Sequence, residues 1–186
     1  MRTRHLVLLL LSVLGVSSAD AFAQDEAGRM AEVLCLDDKE CLALAKYRLT
    51  ATNLRKMFAA DRELMPLMKD LDLHTRMSDV ARSIDPQGRL GTVTTSGQAY
   101  ERMPEIAQVL RRHQISGQEY AFTHAVAMVT AMADDSFGRD ERGGRKEIPP
   151  EMMTPAWKFW RSMDPALKAE ADAWKKMRGY DKGLNR

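Results

Sequence analysis

The sequence predicts an all-α fold, a compact bundle of five or six helices around a central apolar helix at about residues 116–133. Three observations predict it. Apolar residues recur at alternating three- and four-residue steps, the period of one helix face. Four separate segments open on paired start signals, a capping residue or a proline at the first helical position. The one threonine-rich run that could form a strand, around Val93, has no partner strand.

Residues 1–23 stand apart. Arg2 and Arg4 precede an apolar run from Leu6 to Val16, and Ala21-Phe22-Ala23 follows before Gln24. A positive start, an apolar stretch too short to span a bilayer, and small residues at minus three and minus one predict a signal peptide. The mature chain is expected to begin near Gln24 and to be periplasmic or secreted. Removing 23 of 186 residues leaves 163, enough for a single helical domain at 24–186. The leader takes Arg2, Arg4 and Asp20 with it, so a net charge of +2 becomes +1. So balanced a chain has no general attraction for polyanions or anionic lipid. After the leader, no apolar run approaches the roughly 20 residues of a membrane helix.

Cys35 and Cys41 are spaced C-x5-C. In an oxidising compartment such a pair predicts a local disulfide, and the short loop limits its contribution to on the order of 2 kcal/mol. No C-x-x-C redox motif or C-x-x-C-H haem attachment motif is present.

From Asp38, Leu44, Tyr47, Ala51, Leu54 and Phe58 share one face, which predicts a single long helix, with Asp37 or Asp38 as its cap. A second helix carries Leu64 to Leu71 and is expected to start near Pro66. Between about Met77 and Gly97 the stripe dissolves around Ile84-Asp85-Pro86-Gln87-Gly88, which predicts a surface loop. Pro104 opens a helix with Ile106, Val109 and Leu110 inside and Arg111, Arg112 and His113 at its end, where the dipole favours cations. Ser116 and Glu119 then have capping-box spacing, and Ile115 and Tyr120 have the spacing of a hydrophobic staple. The helix they open is apolar nearly all round from Ala121 to Ala133 and is expected to end at Asp134-Asp135. Arg139 to Lys146 reads as a solvated linker. Thr154-Pro155 and Asp164-Pro165 start two more helices, the first presenting Trp157 and Trp160, the second Leu167, Ala171 and Trp174 before Gly179.

The run PEIAQVLRRHQISGQEYAFTHAVAM, residues 104–128, resembles a segment of small secreted bacterial proteins of uncharacterised activity. Those proteins pair a proline-started helix with a short turn and an apolar helix. The resemblance implies an all-helical fold and export, and carries no activity with it.

No G-x-S-x-G, H-E-x-x-H, Walker or dinucleotide-binding pattern occurs, and the acid pairs Asp37-Asp38 and Asp134-Asp135 sit where helix capping accounts for them. The turn before Ser116 has the outline of a helix-turn-helix, but charge balance and an apolar second helix argue against DNA contact. The expected function is therefore non-enzymatic and cofactor-free, the binding of an envelope protein or small ligand. The expected surface combines residues 78–97 with exposed parts of Trp157, Trp160 and Trp174. A competing expectation is a haem or copper carrier using His124, Met128 and His74, since thioether and imidazole suit both. His124 faces Tyr120 and Met128 on its own helix, which favours a hydrogen-bonded core histidine. A hydrolase would need an acid or nucleophile gathered in a pocket by the fold.

Overall fold

The computed structural model describes residues 38–137, 144, 145, 147 and 154–180. Residues 1–23, Cys35 and most of the 139–146 run lie outside the described residues. Every regular element described is a helix: α1 Asp38–Lys46, α2 Ala51–Leu67, α3 Leu71–Ile84, α4 Thr92–Arg102, α5 Pro104–Arg112, α6 Gly117–Phe137, α7 Pro155–Ser162 and α8 Pro165–Arg178. The all-α prediction holds, with eight helices among the described residues in place of five or six. No helix among them is long and apolar enough to cross a membrane.

The count rises because one predicted helix divides and part of the predicted 77–97 loop is helical. The stripe from Leu44 to Phe58 is interrupted at Thr50, whose backbone is extended at φ −131° and ψ 157°. Thr50 Oγ1 accepts the Asn53 N–H at 3.2 Å, and Asn53 Oδ1 accepts the Thr50 N–H at 2.8 Å. This is a reciprocal cap with asparagine in the usual glutamate place, and it competes with continuing the helix. The stripe still points inward on both sides of the break, with Leu54 and Phe58 buried. Tyr47, within the break, shares its hydroxyl at 2.8 Å with Thr123 of α6. Pro66 does not start a helix; it lies in the last turn of α2, and Asp70 caps α3 by accepting the Asp72 N–H at 2.9 Å.

The predicted loop at 77–97 is instead the end of α3, a short turn, and α4. The turn signal itself was well placed: Asp85 accepts the Arg89 and Leu90 N–H groups at 2.8 and 2.7 Å, and Gly88 takes φ +62°. What the local pattern could not show is the cap of α4. Its N-cap, Gly91, has no side chain to offer, and Glu40 of α1 supplies the carboxylate, accepting from the Val93 and Thr94 N–H groups at 3.2 and 2.6 Å.

From residue 104 onward the start signals hold. Pro104 stands at the first turn of α5, and Ser116 Oγ accepts the Glu119 N–H at 3.0 Å. Thr154 and Asp164 accept from the Trp157 and Leu167 N–H groups at 3.2 and 2.9 Å. Gly179 ends α8 with φ +76°. Helix α6 runs past the expected stop at Asp134 to Phe137. It is the central helix, with Tyr120, Ala121, Ala125, Ala127 and Ala131 all buried, although Val129 is 40 % exposed. Helix α4 lies close against it: a Cβ on Gly117 would fall 2.3 Å from the Gly97 carbonyl oxygen.

The tryptophans correct the expected surface. Trp157, Trp160 and Trp174 are 7, 1 and 3 % exposed and belong to the interior, where their area contributes more to closing the bundle than to recognition. Lys168 lies over the Trp160 ring at 5.3 Å, covering it from the solvent side.

Candidate functional site

The most concentrated polar chemistry lies where α2, α6 and α8 meet. Along the apolar stripe of α2, Leu54, Met57, Phe58 and Leu64 are buried, and Asp61 occupies the same face with no exposure at all. An acid in that position needs donors, because a lone buried carboxylate costs several kcal/mol. Two pairs of side chains, each one helical turn apart, supply and enclose it: Tyr120 and His124 from α6, Trp174 and Arg178 from α8.

Oδ1 of Asp61 accepts the Tyr120 hydroxyl and one Arg178 Nη2 hydrogen. Oδ2 accepts Trp174 Nε1 at 2.5 Å and Arg178 Nε at 2.8 Å. The Arg178 Nη2 group also donates to the Tyr120 oxygen at 3.2 Å. The guanidinium thus grips the carboxylate with two hydrogen bonds in the forked arrangement that suits both groups. Aromatic rings wall the junction. Tyr120 and His124 lie with centroids 5.8 Å apart, Trp174 meets His124 edge-on at 5.8 Å, Tyr100 of α4 meets Tyr120 at 5.5 Å, and Tyr180 meets Trp174 at 5.4 Å.

Electrostatics follow from this packing. Burial is the largest influence on Asp61 and opposes its charge, but the Arg178 hydrogen bonds, the nearby His124 and Arg178 charges and the Tyr120 hydrogen bond together outweigh it and hold the carboxyl below its ordinary value. Burial likewise opposes the charge on Arg178, and its bonds to Asp61 leave it more firmly protonated than a free arginine. Tyr120 is pushed well above its ordinary value by burial and then by the Asp61 charge. Burial lowers His124 to about 4, with Asp61 opposing and Arg178 adding to the effect. Its Nε2 lies 3.8 Å from Asp61 Oδ2, too far for a hydrogen bond. That nitrogen is sealed from solvent and has no partner, while another part of the ring reaches the surface.

A second polar junction fastens α7 and α8 to the end of α6. Asp134 accepts Trp157 Nε1 at 3.2 Å and Arg161 Nε at 2.9 Å, and Arg161 lies over the Trp157 ring at 5.4 Å. Asp135 pairs with Lys175, which is only 6 % exposed. These adjacent acids are not helix-end caps, as the sequence suggested; they lie within α6 and bind side chains of the two following helices.

Other expected site residues are dispersed. His74 is exposed and bonds the Met68 carbonyl oxygen at 2.6 Å. Met128 packs against the core, and His124 faces Asp61, so the two imidazoles expected in a carrier have separate surroundings. His113 joins Arg112 on Glu63 at 2.7 and 2.5 Å. Cys41 is half-buried in α1, and its expected disulfide partner Cys35 lies outside the described residues. Among the described residues no three His, Cys, Asp or Glu side chains are grouped to hold a metal.

Sequence reading missed Asp61 and its donors. A signal did exist: an acid at a stripe position of α2, and an aromatic-to-arginine step of four residues at Trp174 and Arg178. No protein-family profile matches the chain, and no curated protein or solved structure was found to be similar to it.

Proposed function

We propose that the chain is an exported helical domain that acts by binding an envelope partner rather than by catalysis. The observation that carries this reading is how the reactive side chains are spent. Asp61, Tyr120 and Arg178, the most concentrated polar side chains, are bound to one another in the interior and hold three helices together. The leader at 1–23 supports the address.

The partner surface in this proposal is the outer side of α3 with the turn that follows. Helix α3 buries only Leu73 fully, and Leu71 at its first position stands 80 % exposed. Leu90, at the far end of the turn, is 37 % exposed. Exposed leucines flanking a charged helix form an apolar-and-polar face of the kind that partners cover.

Two measurements test it. Expression of the full chain in a bacterial host with an outer membrane should give a periplasmic product beginning at Gln24; an uncleaved cytosolic product overturns the address. Photo-crosslinking groups placed at positions 71, 82 and 90 should give one common adduct that groups on the exposed side of α8 do not give. Equal labelling from both faces overturns the α3 surface. A stoichiometric copper or haem complex overturns the binding reading in favour of a carrier.

A further inference from the structure

A carboxylate offers about four lone-pair positions, two on each oxygen. In this protein all four of Asp61 are taken: Tyr120 and Arg178 Nη2 on Oδ1, Trp174 and Arg178 Nε on Oδ2. His124 Nε2 stands 3.8 Å away as an unpartnered polar atom beside a saturated acceptor. In the imidazolium both ring nitrogens carry hydrogen, so protonating His124 makes Nε2 a fifth donor and places a second cation next to Arg178, with one anion between them. Oδ2 of Asp61 lies 3.8 Å away, and its two present donors both belong to α8.

We propose that His124 is an acid-operated release for the end of α8: once protonated, its Nε2–H takes Asp61 Oδ2 from Trp174 and Arg178 and loosens the last turn of that helix. The groups facing the imidazole are consistent with this exchange. Asp61 comes from α2, Tyr120 lies one turn earlier on α6, and Trp174 and Arg178 come from α8. Tyr100 of α4 and Tyr180 form an outer ring against Tyr120 and Trp174. Burial raises the Tyr100, Tyr120 and Tyr180 hydroxyls, so the phenols stay neutral throughout. The charges acting on the imidazole are those of Asp61 and Arg178. Helix α7 is anchored by the Asp134 contacts to Trp157 and Arg161, and α8 as far as Lys175 by Asp135, so the opening is confined to the end of α8 beyond Lys175. The imidazole charges near pH 4, and Asp61, held below its ordinary value, keeps its charge as this begins.

The test is a nuclear magnetic resonance titration of the full mature chain from pH 7 to 3.5. It follows the His124 ring signal, the Trp174 indole N–H and backbone amide exchange. The expected result is a Trp174 indole shift with the same midpoint as His124, and an at least tenfold lower protection factor, taken against the intrinsic exchange rate at each pH, at residues 176–178. Amides of Ile106 and Leu110 in α5 should hold their protection. In His124→Gln the step should disappear. The proposal is overturned if the Trp174 indole keeps its position through His124 protonation, if His124→Gln shows the same step, or if all amides lose protection together. The titration of the unsubstituted chain decides the matter even if the variant fails to fold. Because no partner takes part, the result is independent of the proposed binding function.

Discussion

Asp61 and Glu40 are both buried carboxylates, at 0 and 4 % exposure, and burial alone would rank them as equals. Their donors differ. Asp61 is held by side chains of two other helices, one of them a cation that is itself largely buried. Glu40 is held by two backbone N–H groups at the first turn of α4, where the helix dipole favours a negative charge. Taking away the first acid strands a guanidinium, a phenol and an indole inside the bundle. Taking away the second frees two amides at a helix end, where water can replace the carboxylate. What an acid contributes therefore depends on what is left behind when it goes, and less on how deeply it is buried.

The largest effect follows at Asp61. Asp61→Ala should destabilise the protein by about 3 to 5 kcal/mol, the range for breaking a buried pair and leaving its partner charged. Chemical denaturation reads this as a lower midpoint. Removing both charges, Asp61→Leu with Arg178→Met, should recover a large part of that loss, because no charge is then stranded. If the double variant were as unstable as Asp61→Ala, the stranded cation would not be the cause, and the contrast with Glu40 would fail.

The next effect is a pH dependence centred on the Asp61 junction. His124 has its folded-state value lowered from 6.5 to about 4, so the unfolded chain binds the proton that the folded chain refuses. Stability from this group is complete above pH 6.5, falls as pH drops toward 4, and levels off below that. The full loss is on the order of 3 kcal/mol. Asp61, also lowered, adds a further loss as pH falls through its own depressed value. Denaturation midpoints at pH 7, 5.5 and 4.5 should show the decline in the unsubstituted chain. In His124→Gln the decline between 6.5 and 4 should be reduced. An undiminished decline in His124→Gln assigns it to other groups.

How much of this was legible in the sequence follows the same division between near and distant partners. Ser116 with Glu119, Thr154 with Pro155, Asp164 with Pro165, and Gly179 each act within one turn of their own position, and each was readable. The break at Thr50 is equally local, but it uses Asn53 where glutamate or glutamine is the usual signal. Helix α4 was read as a loop because its cap, Glu40, lies 53 and 54 residues away from the amides it accepts. The Asp61 junction joins residues 59, 113 and 117 positions apart, and only the folded chain brings them together. The tryptophans were placed correctly on their helices, and it is the recognition surface expected of any exposed part of them that the packing removes. Periodicity assigns a shared face, and only the packing of α7 and α8 onto α6 shows that this face is covered.

The smallest effect tests the Glu40 side of the comparison. A Cβ on Gly91 would lie 2.0 Å from the Glu40 carboxyl carbon, so alanine there must push the carboxylate off the α4 amides. The backbone of Gly91, at φ −65° and ψ 153°, is one that alanine adopts freely, so the substitution has no conformational cost of its own. Glu40→Ala and Gly91→Ala should each cost about 1 kcal/mol, the usual loss of a helix cap. The double variant should cost no more than either alone, because the second change finds the contact already gone. In the Glu40→Ala background, Gly91→Ala should even be neutral or slightly stabilising, through a less flexible unfolded chain. Full additivity of the two losses would mean that Gly91 is required for some contact other than Glu40, and that α4 is not capped from α1 in the way the geometry indicates.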